Sequence, residues 1–306
     1  MRILITGAHG FVGHAVCDEL RKRGYEDILG PTRQEVDFVS FDGTTKYFEE
    51  VQPEAVIHLA GLVGGIKANR DRPADFFYQN MSMGVNIYEC SKHHGVRKTV
   101  VLAAGCGYPD KLEVPFKESE FFDGFPDENS YGYSMAKKML VVQAMAYKEQ
   151  YGLNSTVLLP ANIYGPHDNF DLESSHVIPA LVRKFVEAEL SGIGYVQLWG
   201  DGTASREFIH VEDVARAVVD CVDKDIGIGP FNLGTGVETT IKELADTLNI
   251  LCAPPKQLRW NSAMPNGQQR RFYDMSKFEK EFGYCPPTSL AEGLRKTVEW
   301  YRENRV

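Results

Sequence analysis

Tyr133 and Lys137 stand four residues apart in Tyr133-Ser134-Met135-Ala136-Lys137. On a helix that spacing places a phenol and an ammonium on one face, about 6 Å apart along the axis. A free phenol is a weak acid at neutral pH. A cation beside it lowers its pKa and lets it exchange a proton with an alcohol or ketone oxygen. The spacing also recurs in ordinary surface helices, so its meaning depends on what the rest of the chain brings to it.

The second chemical segment opens the chain. Arg2 to Thr6 is a short apolar run that predicts a buried parallel strand. Gly7-Ala8-His9-Gly10-Phe11-Val12-Gly13 follows, then a helical stretch from His14 to Arg23 that stops at Gly24. Strand, glycine-rich turn and helix predict a dinucleotide site. Gly7 permits the tight turn, Gly10 lets the backbone approach a pyrophosphate, and Gly13 lets the helix pack close to the strand. The helix N-terminus offers unpaired N–H groups and a partial positive charge to the phosphates. The spacing is G-x-x-G-x-x-G, not the commoner G-x-G-x-x-G. After the second expected strand, Asp27 to Gly30, the usual acidic ribose ligand is missing and the chain reads Pro31-Thr32-Arg33. A guanidinium at Arg33, with the Thr32 hydroxyl beside it, suits a 2′-phosphate, which favours NADP(H) over NAD(H).

Composition narrows the alternatives. The chain has 306 residues, 43% hydrophobic and 25% charged, enough for one large or two modest domains of a soluble protein. A net charge of −9 argues against nucleic acid as a partner. No apolar run reaches the roughly 20 residues that span a bilayer, and Met1 leads directly into the first strand, so no membrane and a cytoplasmic location are expected. The six cysteines are scattered without a C-x-x-C pair, which argues for reduced thiols and no metal site.

Further strands are expected at Ala55–Ala60, Thr99–Ala103, Ser155–Leu159, Val196–Trp199 and Gly229–Leu233. Helices are expected at Pro73–His94, His176–Glu189 and Val211–Val222, with capping boxes at Thr240/Glu243 and Ser289/Glu292 opening two more. Gly61 to Ile66 reads as a flexible glycine-rich loop. The alternation predicts an α/β fold: a doubly wound, Rossmann-type parallel sheet with a smaller, interleaved C-terminal α/β substrate domain. Residues 1–165 would form the NADP-binding domain, with 207–234 returning to it, and 166–206 and 235–306 the substrate domain. Ligands in such sheets bind beyond the strand carboxyl ends. Ala104-Gly105-Cys106 and Ala161-Asn162-Ile163 lie just past two of those ends.

The glycine pattern, the Tyr133/Lys137 pair and the Asn162 loop resemble the extended short-chain dehydrogenase/reductase family. Longer strings are similar to its GDP-L-fucose synthases: Val63-Gly64-Gly65-Ile66, Pro73-Ala74-Asp75-Phe76, Gln79-Asn80-Met81, Asn162 to Phe170, Ser175 to Leu181 and Arg206-Glu207-Phe208. The likeness spans nearly the whole chain. It implies an NADPH-dependent enzyme that inverts C3 and C5 of a GDP-linked 4-keto sugar and reduces C4. A C4 ketone acidifies the protons on both neighbouring carbons. Epimerisation therefore needs one group to remove such a proton and another to return one from the opposite face.

The resemblance implies Cys106 as base and His176 as acid. It implies Tyr133 as proton donor to the C4 oxygen, with Lys137 lowering its pKa and holding the nicotinamide ribose. Cofactor contacts would come from Gly7, Gly10, Phe11, Val12, Gly13, Arg33, Leu59, Ala60, Tyr133, Lys137, Pro160, Asn162, Ile163 and His176. Asn162, Lys184, Trp199, Arg206 and Arg271 would meet the GDP-sugar, with arginine at 271 where the family commonly has lysine. A homodimer would pair helices 73–94 and 133–151 of two subunits into a four-helix bundle. One departure stands out. The family's strand-end motif is Ser-x-Cys, its serine bonding the C4 oxygen, and here that position is Ala104. A C4-reductase alone, on a GDP-keto-hexose or GDP-keto-heptose, therefore stays open, as does a non-catalytic NADP-binding sensor.

Overall fold

The computed structural model describes residues 1–264 and 269–305. Strand β1 (Ile3–Thr6) is followed by helix α1 (Phe11–Lys22), β2 (Ile28–Leu29), α2 (Phe41–Val51) and β3 (Ala55–His58). Then come α3 (Ile66–Asp71), α4 (Pro73–His93), β4 (Lys98–Leu102), α5 (Tyr131–Tyr151) and β5 (Ser155–Pro160). The six-stranded sheet runs β10-β5-β4-β3-β1-β2, with β10 (Phe231–Leu233) joining from late in the chain, and every pairing is parallel. All its strands but the half-buried edge strand β2 are buried on both faces, as a parallel sheet between helix layers requires. Ile3 and Ile5 of β1 and Ala55 and Ile57 of β3 face one layer, Leu4 and Val56 the other.

Chain order reverses between β1 and β3, which makes their carboxyl ends the switch point of the sheet. The expected doubly wound, Rossmann-type sheet is therefore present.

Between β5 and β10 lie β6 (Asn162–Tyr164), α6 (Val177–Leu190), β7 (Tyr195–Trp199), β8 (Ser205–Arg206), β9 (Phe208–His210) and α7 (Val211–Asp223). After β10 come β11 (Thr239–Thr240), α8 (Ile241–Leu251), β12 (Gln257–Asn261), α9 (Ser276–Phe282) and α10 (Leu290–Asn304). A second apolar core forms where α6, β7, α8 and α10 meet, around Phe185, Leu198, Leu244 and Val298. Three two-stranded ladders, separate from the large sheet, order this part of the chain. β6 pairs with β9, β8 with β11, and β7 with β12. Tyr273, Phe278 and Phe282 pack into the first core rather than the second.

Local sequence explains the element ends. Helix α4 starts with Pro73 in its first turn, α5 stops at Gly152 in the left-handed region (φ 70°), and Thr240 and Glu243 form a full capping box on α8. The box expected on α10 is half formed: Ser289 accepts the Glu292 N–H at 3.3 Å, while the Glu292 carboxylate lies 3.6 Å from Lys296. The glycine-rich loop ends sooner than its composition suggests, because Gly65 caps the short helix α3. Among the described residues no helix is long and apolar enough to cross a membrane.

Candidate active site

The glycine turn sits at the switch point. Gly7 has φ 76°, and a Cβ there would lie 2.9 Å from the Ala60 nitrogen at the end of β3. A Cβ on Gly13 would come 2.2 Å from the Gly7 oxygen, so α1 packs against the turn only because residue 13 lacks a side chain. Gly10 caps α1 with no side-chain bond, leaving its N–H groups facing the open end. Phe11 and Val12 form the first helical turn, half-buried. The β3 end is held by Leu59 N–H on the Thr6 carbonyl (3.1 Å) and Ala60 N–H on the Thr6 hydroxyl (3.1 Å). This cradle fits a dinucleotide: a side-chain-free turn over a helix N-terminus at the sheet's switch point. Arg33 is exposed just beyond β2. The Thr32 hydroxyl is not available as the expected second contact, because Glu35 accepts both it (2.8 Å) and the Thr32 N–H (2.7 Å).

Helix α5 carries Tyr133 half-buried and Lys137 buried. The Lys137 ammonium donates to the Leu102 carbonyl at 3.3 Å, and a side chain on Gly61 would crowd it at 3.3 Å. Lys137 thus spans from the β3 end to the β4 end. Burial lowers its pKa to about 8, partly offset by charge on Cys106. The same burial raises the Tyr133 phenol, and charge on Cys106 raises it further. This corrects the expectation that Lys137 lowers Tyr133. Burial disfavours the phenolate and is the larger of the two causes, charge on Cys106 being the other.

Just past β4, Ala104 caps a single 3-10 turn, Gly105–Gly107, that carries Cys106. Ala104 is 9% exposed and offers no side-chain donor. Burial raises the Cys106 thiol, while Arg271, a hydrogen bond from Ser134 and Lys137 act to lower it, in that order. Ser134 is fully buried and its hydroxyl lies 3.1 Å from that of Ser130. The Arg271 guanidinium donates to the Gly105 carbonyl. Tyr273 fills the space beside Gly105: a Cβ there would lie 1.5 Å from the phenol oxygen, which donates to the Pro160 carbonyl at 3.2 Å. Arg206 donates to the Ser205 carbonyl at 2.7 Å, and burial followed by Arg271 lowers its pKa to about 10.

The fold therefore groups Tyr133, Lys137, Cys106 and Arg271, with Arg206 next to Arg271. Asn162, exposed at the β5 end, donates through its side chain to the Glu207 carbonyl at 2.9 Å, and Ile163 is half-buried beside it. His176 caps α6 with an open imidazole that makes no hydrogen bond among the described residues. Burial against the surrounding protein lowers its pKa. Lys184 and Trp199 form a separate pair on α6 and β7, the ammonium 5.5 Å from the ring centroid and bonded to the Gln197 carbonyl at 3.2 Å.

Residues 3–234 match the NAD dependent epimerase/dehydratase family. The chain belongs to this family. It is 36% identical to GDP-L-fucose synthase 1 of Arabidopsis thaliana, over 99% of this chain and 94% of that protein. It is 34% identical to the GDP-L-fucose synthase of Escherichia coli, over 99% and 97% of the two chains. A GDP-mannoheptose C4 reductase from Campylobacter jejuni with NADP bound has the same fold, with a TM-score of 0.90, 31% identity and 98% of both chains covered. This epimerase-family chain is thus an extended short-chain dehydrogenase/reductase, an oxidoreductase related to GDP-sugar synthases and reductases.

Two residues of this family member escaped the sequence reading. Glu207 lay inside the quoted Arg206-Glu207-Phe208 string, where only the arginine was given a role. Tyr273 carried no local signal, because what it fills is the missing side chain of a glycine 168 residues earlier.

Proposed function

We propose that this chain is an NADPH-dependent reductase of a GDP-linked 4-keto sugar, with 3,5-epimerase chemistry on the same sugar. One observation carries the reading. Tyr133 and the buried Lys137 on α5 lie beside the Cys106 turn at the β3 and β4 ends, which supports one ketone meeting both the proton donor and the thiol.

Bound NADPH supplies the hydride. Gly7, Gly10, Gly13 and the first turn of α1 hold its pyrophosphate, and Arg33 takes the 2′-phosphate. Leu59, Ala60, Pro160, Asn162, Ile163 and His176 line the way to the sugar. Tyr133 gives its proton to the C4 oxygen. Its raised pKa keeps it protonated until the oxygen becomes basic, which suits a donor. Lys137 would hold the nicotinamide ribose and supply positive charge there. Cys106 removes the proton beside the ketone and His176 returns one. Arg206, Arg271, Lys184 and Trp199 bind the GDP portion. The homodimer rests on α4 and α5, whose outer faces expose Tyr78, Val85, Val142 and Met145.

A reductase with weak epimerisation is the second reading, and Ala104 favours it. A missing oxyanion donor typically costs ~3 kcal/mol, about a hundredfold in rate. Enolisation suffers more than reduction, because reduction keeps the Tyr133 donor at the same oxygen.

Incubation with GDP-4-keto-6-deoxymannose and NADPH in D₂O separates the readings. Deuterium at C3 and C5 of an inverted product shows both activities, and an uninverted product without deuterium shows reduction alone. Cys106→Ser should abolish exchange and spare reduction. Ala104→Ser should raise exchange at least tenfold. If the keto sugar is neither reduced nor exchanged, the reading falls.

A further inference from the structure

Glu207 joins β8 to β9 and is 1% exposed. One carboxylate oxygen accepts the N–H groups of Thr235 (2.5 Å) and Gly236 (2.6 Å), and the other accepts that of Tyr273 (2.7 Å). Its backbone carbonyl takes both the N–H (3.2 Å) and the side-chain amide (2.9 Å) of Asn162. The turn after β10 is shaped around it, since a Cβ on Gly234 would fall 2.0 Å from the carboxylate. Burying a carboxylate costs free energy unless donors replace its water. Here backbone N–H groups from two distant segments replace it, and burial still pushes its pKa up to about 7. A residue needed only for packing would not carry that charge.

What the carboxylate ties together gives the reason. Arg206 directly precedes it. Arg271 lies two residues before the Tyr273 N–H that it holds, and rests on the Gly105 carbonyl. The two guanidiniums lie close enough for Arg271 to depress Arg206. Like charges that near drive their segments apart unless the backbone is fastened.

The geometry points to Glu207 as the positioning residue that holds Arg206 and Arg271 as a pair for the diphosphate of a nucleoside-diphosphate sugar. This rests on the proposed GDP-sugar substrate. Glu207 touches neither substrate nor cofactor and acts through the arginines.

The test uses the full-length protein, GDP-mannose for binding and the GDP-keto sugar for kinetics. In Glu207→Gln one acceptor oxygen becomes an amide that confronts the backbone N–H groups. The GDP-mannose Kd and the keto-sugar KM should rise at least tenfold, with kcat within threefold and the NADPH KM unchanged. Adding Glu207→Gln to Arg271→Ala should worsen Kd by clearly less than Glu207→Gln does alone, because only Arg206 is then left to position. A fall in kcat together with a rise in the NADPH KM would mean general loosening and overturn the role, as would additive losses in the double variant. Should Glu207→Gln not fold, Gly234→Ala displaces the same carboxylate and must show the same split. If the wild type does not bind GDP-mannose, both the substrate reading and this role fail. If it binds and Glu207→Gln leaves Kd unchanged, only the role of Glu207 fails.

Discussion

We propose that the charge state of Lys137 decides whether the cleft can work. Below its pKa of about 8 it is an ammonium, and above it a neutral amine, because burial disfavours the cation. Any step that needs the cation is therefore lost as pH rises through about 8. The kcat/KM for NADPH, which reports the free enzyme, should fall on the alkaline side near that value, and Lys137→Arg should carry the fall upward. A flat profile to pH 10 would show that the cation is not required. The types and chain positions of Tyr133, Lys137, Cys106 and His176 were readable from the sequence. The pKa directions were not. Helix spacing reports the neighbour four residues away, whereas the ends of β3 and β4 that enclose Lys137, and the Arg271 charge that acts on Cys106, lie far off along the chain.

At the scale of elements, the first strand, turn and helix were legible because their signals are local: an apolar run, then glycines at fixed offsets. Helix α1 begins at Phe11 rather than His14, since Gly10 caps it directly. Helix α2 was not read, although Ser40 accepts the Gly43 N–H at 3.2 Å as its N-cap. The turn after β2 shows how an element sets a specificity. Glu35 occupies the Thr32 N–H and hydroxyl, so we propose that Arg33 meets the 2′-phosphate without Thr32. A charge-assisted contact of ~1.5–3 kcal/mol predicts a preference for NADPH over NADH of about tenfold or more. Arg33→Ala should remove most of it while leaving NADH kinetics nearly unchanged. Equal kcat/KM for both cofactors in the unmutated enzyme would refute the assignment.

At the scale of the molecule, two cores must stay in register for one cleft to exist. We propose that 207–234 belongs with the cofactor domain, since α7 and β10 pack into the first core. The outer faces of α4 and α5 pose a separate question. Val142 is 42% and Met145 53% exposed on α5, beside Tyr78 and Val85 on α4. An apolar surface across two long helices packed side by side in the same direction is what a second copy would cover. Val142→Glu with Met145→Glu should convert a dimer to a monomer in sedimentation, with far-UV circular dichroism unchanged. A wild type that sediments as a monomer at micromolar concentration would exclude the bundle.

The contact between Gly105 and Tyr273 also constrains how this protein can change over generations. A serine at 105 would drive its Cβ into the phenol oxygen at 1.5 Å and the ring carbon behind it at 2.8 Å. Overfilling of this kind typically costs 1–3 kcal/mol. Phenylalanine at 273 would remove the oxygen but keep the ring carbon, so only a smaller side chain such as leucine makes room. The same serine is therefore harmful on the present background and tolerable on another, which is sign epistasis between two sites far apart in sequence. Lineages descending from this chain can place a hydroxyl at 105 by one order of steps: position 273 first, position 105 second.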